Sequence, residues 1–125
     1  MTFVCPDCEA RALEIGDSLE LPPDADDDEI TLQTVVCAQC GLQAVAVYRE
    51  SRRGALDSEA WRHEGYRVAE KDFRDIRASI RRCPAPRDNR CPCPTHTRLG
   101  LKSGTRWDGL RLSGIDVHCV FEMRL

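Results

Sequence analysis

Aromatic side chains are scarce. Three Phe, two Tyr and two Trp make up 6% of 125 residues, which excludes a large aromatic core and calls for another source of stability. Lysine is scarcer still: 16 of the 18 basic residues are Arg. No run of 18 apolar residues exists, and that excludes a membrane-spanning helix. The first residues lack a basic stretch followed by an apolar one, so no secretory signal is expected. Also missing are G-x-S-x-G, a phosphate-binding loop and a dinucleotide fingerprint, and His63-Glu64 has no second histidine four residues after the first. These absences remove the commonest hydrolase, nucleotide-binding and metalloprotease signatures.

Cysteine, by contrast, is abundant, at 8 residues. Without a secretory signal, disulfides are disfavoured and the cysteines read as metal ligands in a reducing cytosol, so a cytoplasmic location is expected. The apolar fraction of 42% and charged fraction of 31% describe a globular chain of one domain, or two very small ones.

Charge is uneven along the chain. Residues 1–29 carry ten acidic side chains and one basic one, and the remainder is net basic. The basic part reads either as a footprint for phosphate or an acidic protein, or as charge neutralised by the acidic arm. The pI near 5.6 weighs against strong unaided nucleic-acid binding.

The pattern of apolar residues predicts strands over 10–19, 30–36 and 42–48. The segment Pro22–Glu29, with two prolines and five carboxylates, is expected to be an exposed loop, and Glu50–Gly54 a polar linker. Asp57 or Ser58 is placed to cap a short helix through His63, with Tyr66–Val68 extended after it. Phe73, Ile76, Ile80 and Cys83 recur at helical spacing, which predicts a helix over 70–82, ended by Pro84 and weakly started at Ala69. Four prolines between Cys83 and His96 predict irregular chain. Ile115, Val117, Cys119, Phe121, Met123 and Leu125 alternate with polar residues as in a half-buried strand, which puts Cys119 in the core and His118 on the surface.

Cys5-Pro-Asp-Cys8 and Cys37-Ala-Gln-Cys40 are two Cys-x-x-Cys pairs separated by 28 residues. Four thiolates suit tetrahedral zinc, and Gly41 follows the second pair where a positive φ is often needed. Residues 3–50 resemble the zinc-ribbon superfamily with rubredoxin-type knuckles, on Cys5, Cys8, Cys37, Cys40 and Gly41; Glu9 departs from the usual glycine. The resemblance implies a β-hairpin clasped by a structural zinc. Iron and redox dithiol chemistry are the alternatives.

Cys83, Cys91, Cys93 and His96, spaced Cys-x7-Cys-x-Cys-x2-His, would complete a second tetrahedral set. The competing readings are unliganded thiols in a proline-rich loop, or a redox pair at Cys91 and Cys93. Two Zn2+ ions are expected in total. Both sets are closed, which argues against catalysis by a metal-bound water.

The expected architecture is α+β. An N-terminal antiparallel zinc ribbon (1–50) packs with one main helix, a Cys/His metal-held loop and a C-terminal strand (55–125). The leading functional expectation is a non-enzymatic zinc-binding module docking a protein partner. The alternative is a nucleic-acid binder using the basic stretch 74–111, with Arg74, Arg77 and Arg81 on one helix face and Trp107 beside Arg106. A small zinc enzyme with an opened metal site ranks third.

Overall fold

Val, Ile, Leu and Thr crowd the segments Glu29–Cys37 and Gln43–Ser51, and side chains of this shape pack well on a pleated surface. The computed structural model describes residues 2–52 and 60–125. The first half supplies strands β1 (Thr2–Val4), β2 (Arg11–Leu21), β3 (Glu29–Cys37), β4 (Gln43–Ser51) and β5 (Ala60–Val68). Helices α1 (Glu70–Arg82) and α2 (Pro94–Leu99), short strands β6 (Lys102–Ser103) and β7 (Arg106–Trp107), helix α3 (Gly109–Leu112) and strand β8 (Val117–Glu122) follow.

Six strands form one antiparallel sheet in the order β1-β2-β3-β4-β5-β8, and β6 and β7 make a separate two-stranded ribbon. The Val4 N–H donates to the Arg124 carbonyl at 2.7 Å, so the two edges of the large sheet approach each other at one end.

Both faces of β3 and β4 are buried. One face carries Leu19, Leu21, Ile30, Leu32, Val45 and Val47 against Ile76 and Ile80 of α1, Leu99 of α2, Trp107, Leu110 and Ile115. The other carries Phe3, Leu13, Val35, Ala44, Ala46 and Met123. Leu13 and Leu19 lie in different cores although both are odd-numbered. The reason is a register shift between Ile15 and Ser18, where β2 holds one residue more than β3 and its later side chains change face.

Helix α1 has the bounds that its periodicity predicts. Phe73, Ile76 and Ile80 are buried, Ala69 makes no side-chain cap, and Glu70 and Asp72 at the start with Arg81 and Arg82 at the end complement the helix dipole.

Several expectations are corrected. Residues 60–63 are strand, not helix: they pair with Tyr48–Ser51, and Trp61 stacks on Tyr48. The proposed caps Asp57 and Ser58 lie outside the described residues, as do positions 53 and 54 of the proposed linker. Glu50 and Ser51 belong to β4, and Glu50 is buried. Within the acidic loop Asp24 and Asp27 are buried; the Asp24 carboxylate accepts from the N–H groups of Asp26, Asp27 and Trp107 at 2.8–2.9 Å. Three donors hold this carboxylate ionised against the opposing pull of burial. Pro94 opens helix α2, so the chain is helical there rather than irregular; its missing N–H is harmless in a first turn. Cys119 is exposed, because β8 is an edge strand; Ile115 and Val117 reach one core and Phe121 and Met123 the other.

Candidate metal centres

Two tight turns face each other at the β1–β2 and β3–β4 ends. In the first, the Cys5 N–H donates to the Ala10 carbonyl at 2.9 Å and the Glu9 N–H to the Cys5 carbonyl at 2.9 Å. The second repeats both bonds: Cys37 N–H to Leu42 at 2.8 Å and Gly41 N–H to Cys37 at 2.9 Å. Glu9 and Gly41 occupy equivalent places and both are left-handed, at φ 63° and 81°. The departure from glycine at position 9 therefore leaves the turn intact, with a side chain held in a region costing roughly 1–2 kcal/mol.

These knuckles bring Cys5, Cys8, Cys37 and Cys40 together with all four sulfurs within 4.8 Å of one another. The Cys5 and Cys40 sulfurs are 3.6 Å apart, and those of Cys8 and Cys37 3.7 Å. A disulfide would need about 2.05 Å. A tetrahedral ion with sulfur at about 2.3 Å sets sulfur–sulfur edges of about 3.8 Å, so the cage has the size of a metal–thiolate centre. The Asp7 and Cys40 N–H groups donate to the sulfurs of Cys5 and Cys37, both at 3.4 Å. Cys5 and Cys37 are buried, while Cys8 and Cys40 reach the surface.

The second cluster joins the end of α1 to α2. Cys83 follows the last turn of α1, Cys93 caps α2, and His96 sits in the first turn beyond it. The Cys83 sulfur lies 3.8 Å from that of Cys91 and 3.4 Å from that of Cys93. Nδ1 of His96 is 3.3 Å from Cys83 and 3.2 Å from Cys93. Its Nε2–H donates to the Glu20 carbonyl at 2.9 Å. A carbonyl can only accept, so this bond fixes the proton on Nε2 and leaves the Nδ1 lone pair for an ion. Sequence reasoning missed Glu20, and a backbone carbonyl carries no signal in the side-chain pattern.

The thiols in each cluster cannot all ionise without a cation among them. The Cys40 N–H, helped by that of Gln39, holds Cys37 down at about 7 against burial. Cys40 is pushed up to about 12: the Leu42 N–H favours its thiolate, but burial and the thiols of Cys5, Cys37 and Cys8 outweigh it. In the second cluster burial, with Cys93 and Cys91, pushes Cys83 up to about 11. Cys93 falls to about 6, because His96 overcomes burial through both its N–H and its ring. A divalent ion would remove this opposition by neutralising the charge at the centre. Both donor sets therefore fit a metal ion in number, type and spacing.

The remaining candidates are dispersed. Trp107 is buried; its indole N–H donates to the Leu99 carbonyl at 2.7 Å, and its ring lies under the Arg49 guanidinium at 5.3 Å. It is not a surface platform for a base. Arg74 pairs with Glu70 at 3.9 Å, Arg81 with Asp17 at 3.3 Å, and Arg77 lies over the Phe73 ring at 5.1 Å. The other tryptophan, Trp61, is 64% exposed, and no sequence signal distinguished it from a core residue. No helix among the described residues is long and apolar enough to cross a membrane. Compared with known protein families, curated proteins and solved structures, the chain matches none.

Proposed function

We propose that this is a non-enzymatic module in which two zinc ions hold a mixed sheet-and-helix scaffold, and that the scaffold docks a protein partner. Zinc is favoured over iron because a set of three cysteines and one histidine accompanies the set of four cysteines, and both are common closed zinc shells. The zinc-ribbon reading of residues 3–50 rests on the paired knuckles. Four protein donors at each centre leave no open position for a substrate, which supports a structural role. Seven thiolate ligands need a reducing surrounding, in keeping with the cytoplasm.

The observation that carries the docking reading is Trp61. It stands exposed on β5, and among the described residues no strand pairs with Ala60–Arg62 on the side away from β4. An exposed tryptophan beside an open strand edge suits an extended protein segment, with backbone hydrogen bonds for affinity and the indole as anchor. The nucleic-acid alternative is weakened by the carboxylates that meet its arginines. Besides Arg74 and Arg81, Arg98 pairs with Asp75 at 2.9 Å, Arg106 with Asp26 at 2.9 Å and Arg111 with Asp108 at 2.6 Å.

The test is affinity purification from the native host with wild type, Trp61→Ala and an Arg74, Arg77, Arg81→Glu triple variant. Elemental analysis should return two zinc ions per chain. A defined protein should co-purify with wild type and the arginine variant, and be lost with Trp61→Ala. Co-purifying nucleic acid that disappears in the arginine variant would overturn the reading.

A further inference from the structure

On the opposite face of the sheet from Trp61 lies a cavity of about 390 Å³, bounded by β4, β5, α3 and β8. Tyr66, Leu110, Ile115 and Val117 give it apolar walls, and Arg49 and Trp107 also line it. Arg49 is unusual. Its Nε is sealed from solvent and has no hydrogen-bond partner among the described residues. The guanidinium lies over the Trp107 ring, and no carboxylate among the described residues forms an ion pair with it within 4.0 Å. The acidic charges that it influences are Asp24, whose carboxylate already accepts three N–H donors, and Asp27, which pairs with Arg62 at 3.9 Å. A half-buried guanidinium that shares these carboxylates with other donors, and forms no ion pair of its own within 4.0 Å, gains from an acceptor added at the cavity.

We propose that this cavity is a binding site for a small organic monoanion, a carboxylate carrying an apolar body. The volume is at the low end for ligand pockets, roughly 300–1,000 Å³, which limits the ligand to a small one. The four apolar walls favour a hydrocarbon or aromatic body, and the Arg49 fork matches a carboxylate. A phosphate dianion fits poorly. The second arginine at the cavity, Arg111, is taken by Asp108 at 2.6 Å, and Asp116 adds a further negative charge to the lining. Arg49 is thus the one cation of this lining that makes no ion pair among the described residues, and a ligand with a single negative charge matches it. The inference is independent of the docking reading, because Arg49 and Trp61 lie on opposite faces of the sheet.

The test is a titration of the zinc-loaded full chain, isotopically labelled, followed by amide and indole correlation spectra. The probes are benzoate, its uncharged analogue benzamide, and inorganic phosphate. Benzoate should give saturable shifts confined to Tyr66, Trp107, Leu110, Ile115 and Val117, and should bind at least tenfold more tightly than either control. Arg49→Met should abolish that saturation. Val117→Trp, a substitution at a half-exposed wall residue, should do the same by filling the cavity, and it carries the test if the Arg49 variant does not fold. Equal binding of benzamide, tighter binding of phosphate, shifts that do not saturate, or benzoate binding undiminished by Val117→Trp would each overturn the proposal.

Discussion

The imidazole of His96 donates its Nε2 proton to the backbone carbonyl of Glu20 across 76 positions of sequence, at 2.9 Å. The second cysteine cluster is thereby fastened to β2. The Glu20 N–H also donates to the Pro86 carbonyl at 2.8 Å, inside the loop that carries the cluster. One side chain thus joins the candidate metal cluster to the sheet.

His96→Ala and Cys91→Ser should therefore differ. Each removes one ligand, and elemental analysis should fall from two zinc ions per chain to one in both. His96→Ala also breaks the bond to β2, worth about 0.5–1.5 kcal/mol net. Its thermal midpoint should lie below that of Cys91→Ser. Equal midpoints would mean that the link to Glu20 contributes nothing beyond ligation.

Glu9 and Gly41 sit at matching left-handed positions, and only one is glycine. Glu9→Gly is expected to raise stability by about 0.5–1 kcal/mol, because strain relief of roughly 1–2 kcal/mol is partly offset by the greater entropy of the unfolded chain. Gly41→Ala should lower it. Denaturant titration of the zinc-loaded protein measures both, and loss of stability in Glu9→Gly would show that the glutamate side chain compensates for its backbone.

Gly65 lies beneath the ring of Phe121, its cross-strand partner. A Cβ placed there would overlap the ring. Gly65→Ala must push Phe121 off the strand pair, and the cost should be about 1–3 kcal/mol or more. The double variant Gly65→Ala, Phe121→Ala should recover part of that loss relative to the sum of the single changes. Simple additivity in denaturant melts would exclude the steric account.

His63 is packed edge-on against Phe3 and Tyr48, and its Nε2 lies 2.7 Å from Gln33 Oε1. Burial holds its pKa below the ordinary imidazole value of about 6.5. The unfolded chain then binds the proton more readily than the folded one. Stability attributable to His63 is complete above about pH 6.5 and is lost as pH falls below that value through the folded pKa. His63→Gln should flatten the stability profile in that window. Parallel wild-type and variant profiles between about pH 7 and 5.5 would rule out the assignment.

The local chemistry was legible in the sequence, and the long-range arrangement was not. Cys-x-x-Cys spacing and helical periodicity are local signals, and they led to Cys5, Cys8, Cys37 and Cys40 and to the 70–82 helix. The second candidate donor set was readable as four donors within fourteen residues, but not its anchoring on Glu20. The alternation of Ile115 to Leu125 suggested one apolar face. It is instead divided between two cores: Ile115 and Val117 pack into one and Phe121 and Met123 into the other, because a register shift opposite Arg67 and Val68 puts one extra residue in β8 and changes its face. The helix expected up to His63 failed because pairing with β4 outweighs local capping signals. Trp107 and Trp61 are alike in composition and opposite in exposure, a difference set by which sheet face and which loop each meets.

The bond between Val4 and Arg124 has a consequence for the order in which the protein can be made. A chain emerging from the ribosome completes its first cluster of thiols once Cys40 is out, and a metal ion bound there would clasp that hairpin while β4, β5 and β8 have yet to emerge. The edge β1, in contrast, must wait for residue 124 before its Val4 N–H is satisfied. Contacts of such separation form late and slow the folding of sheets. A strand left open that long is a hazard for pairing with other chains, and β1 spans only three residues, which keeps the exposed edge short during the wait.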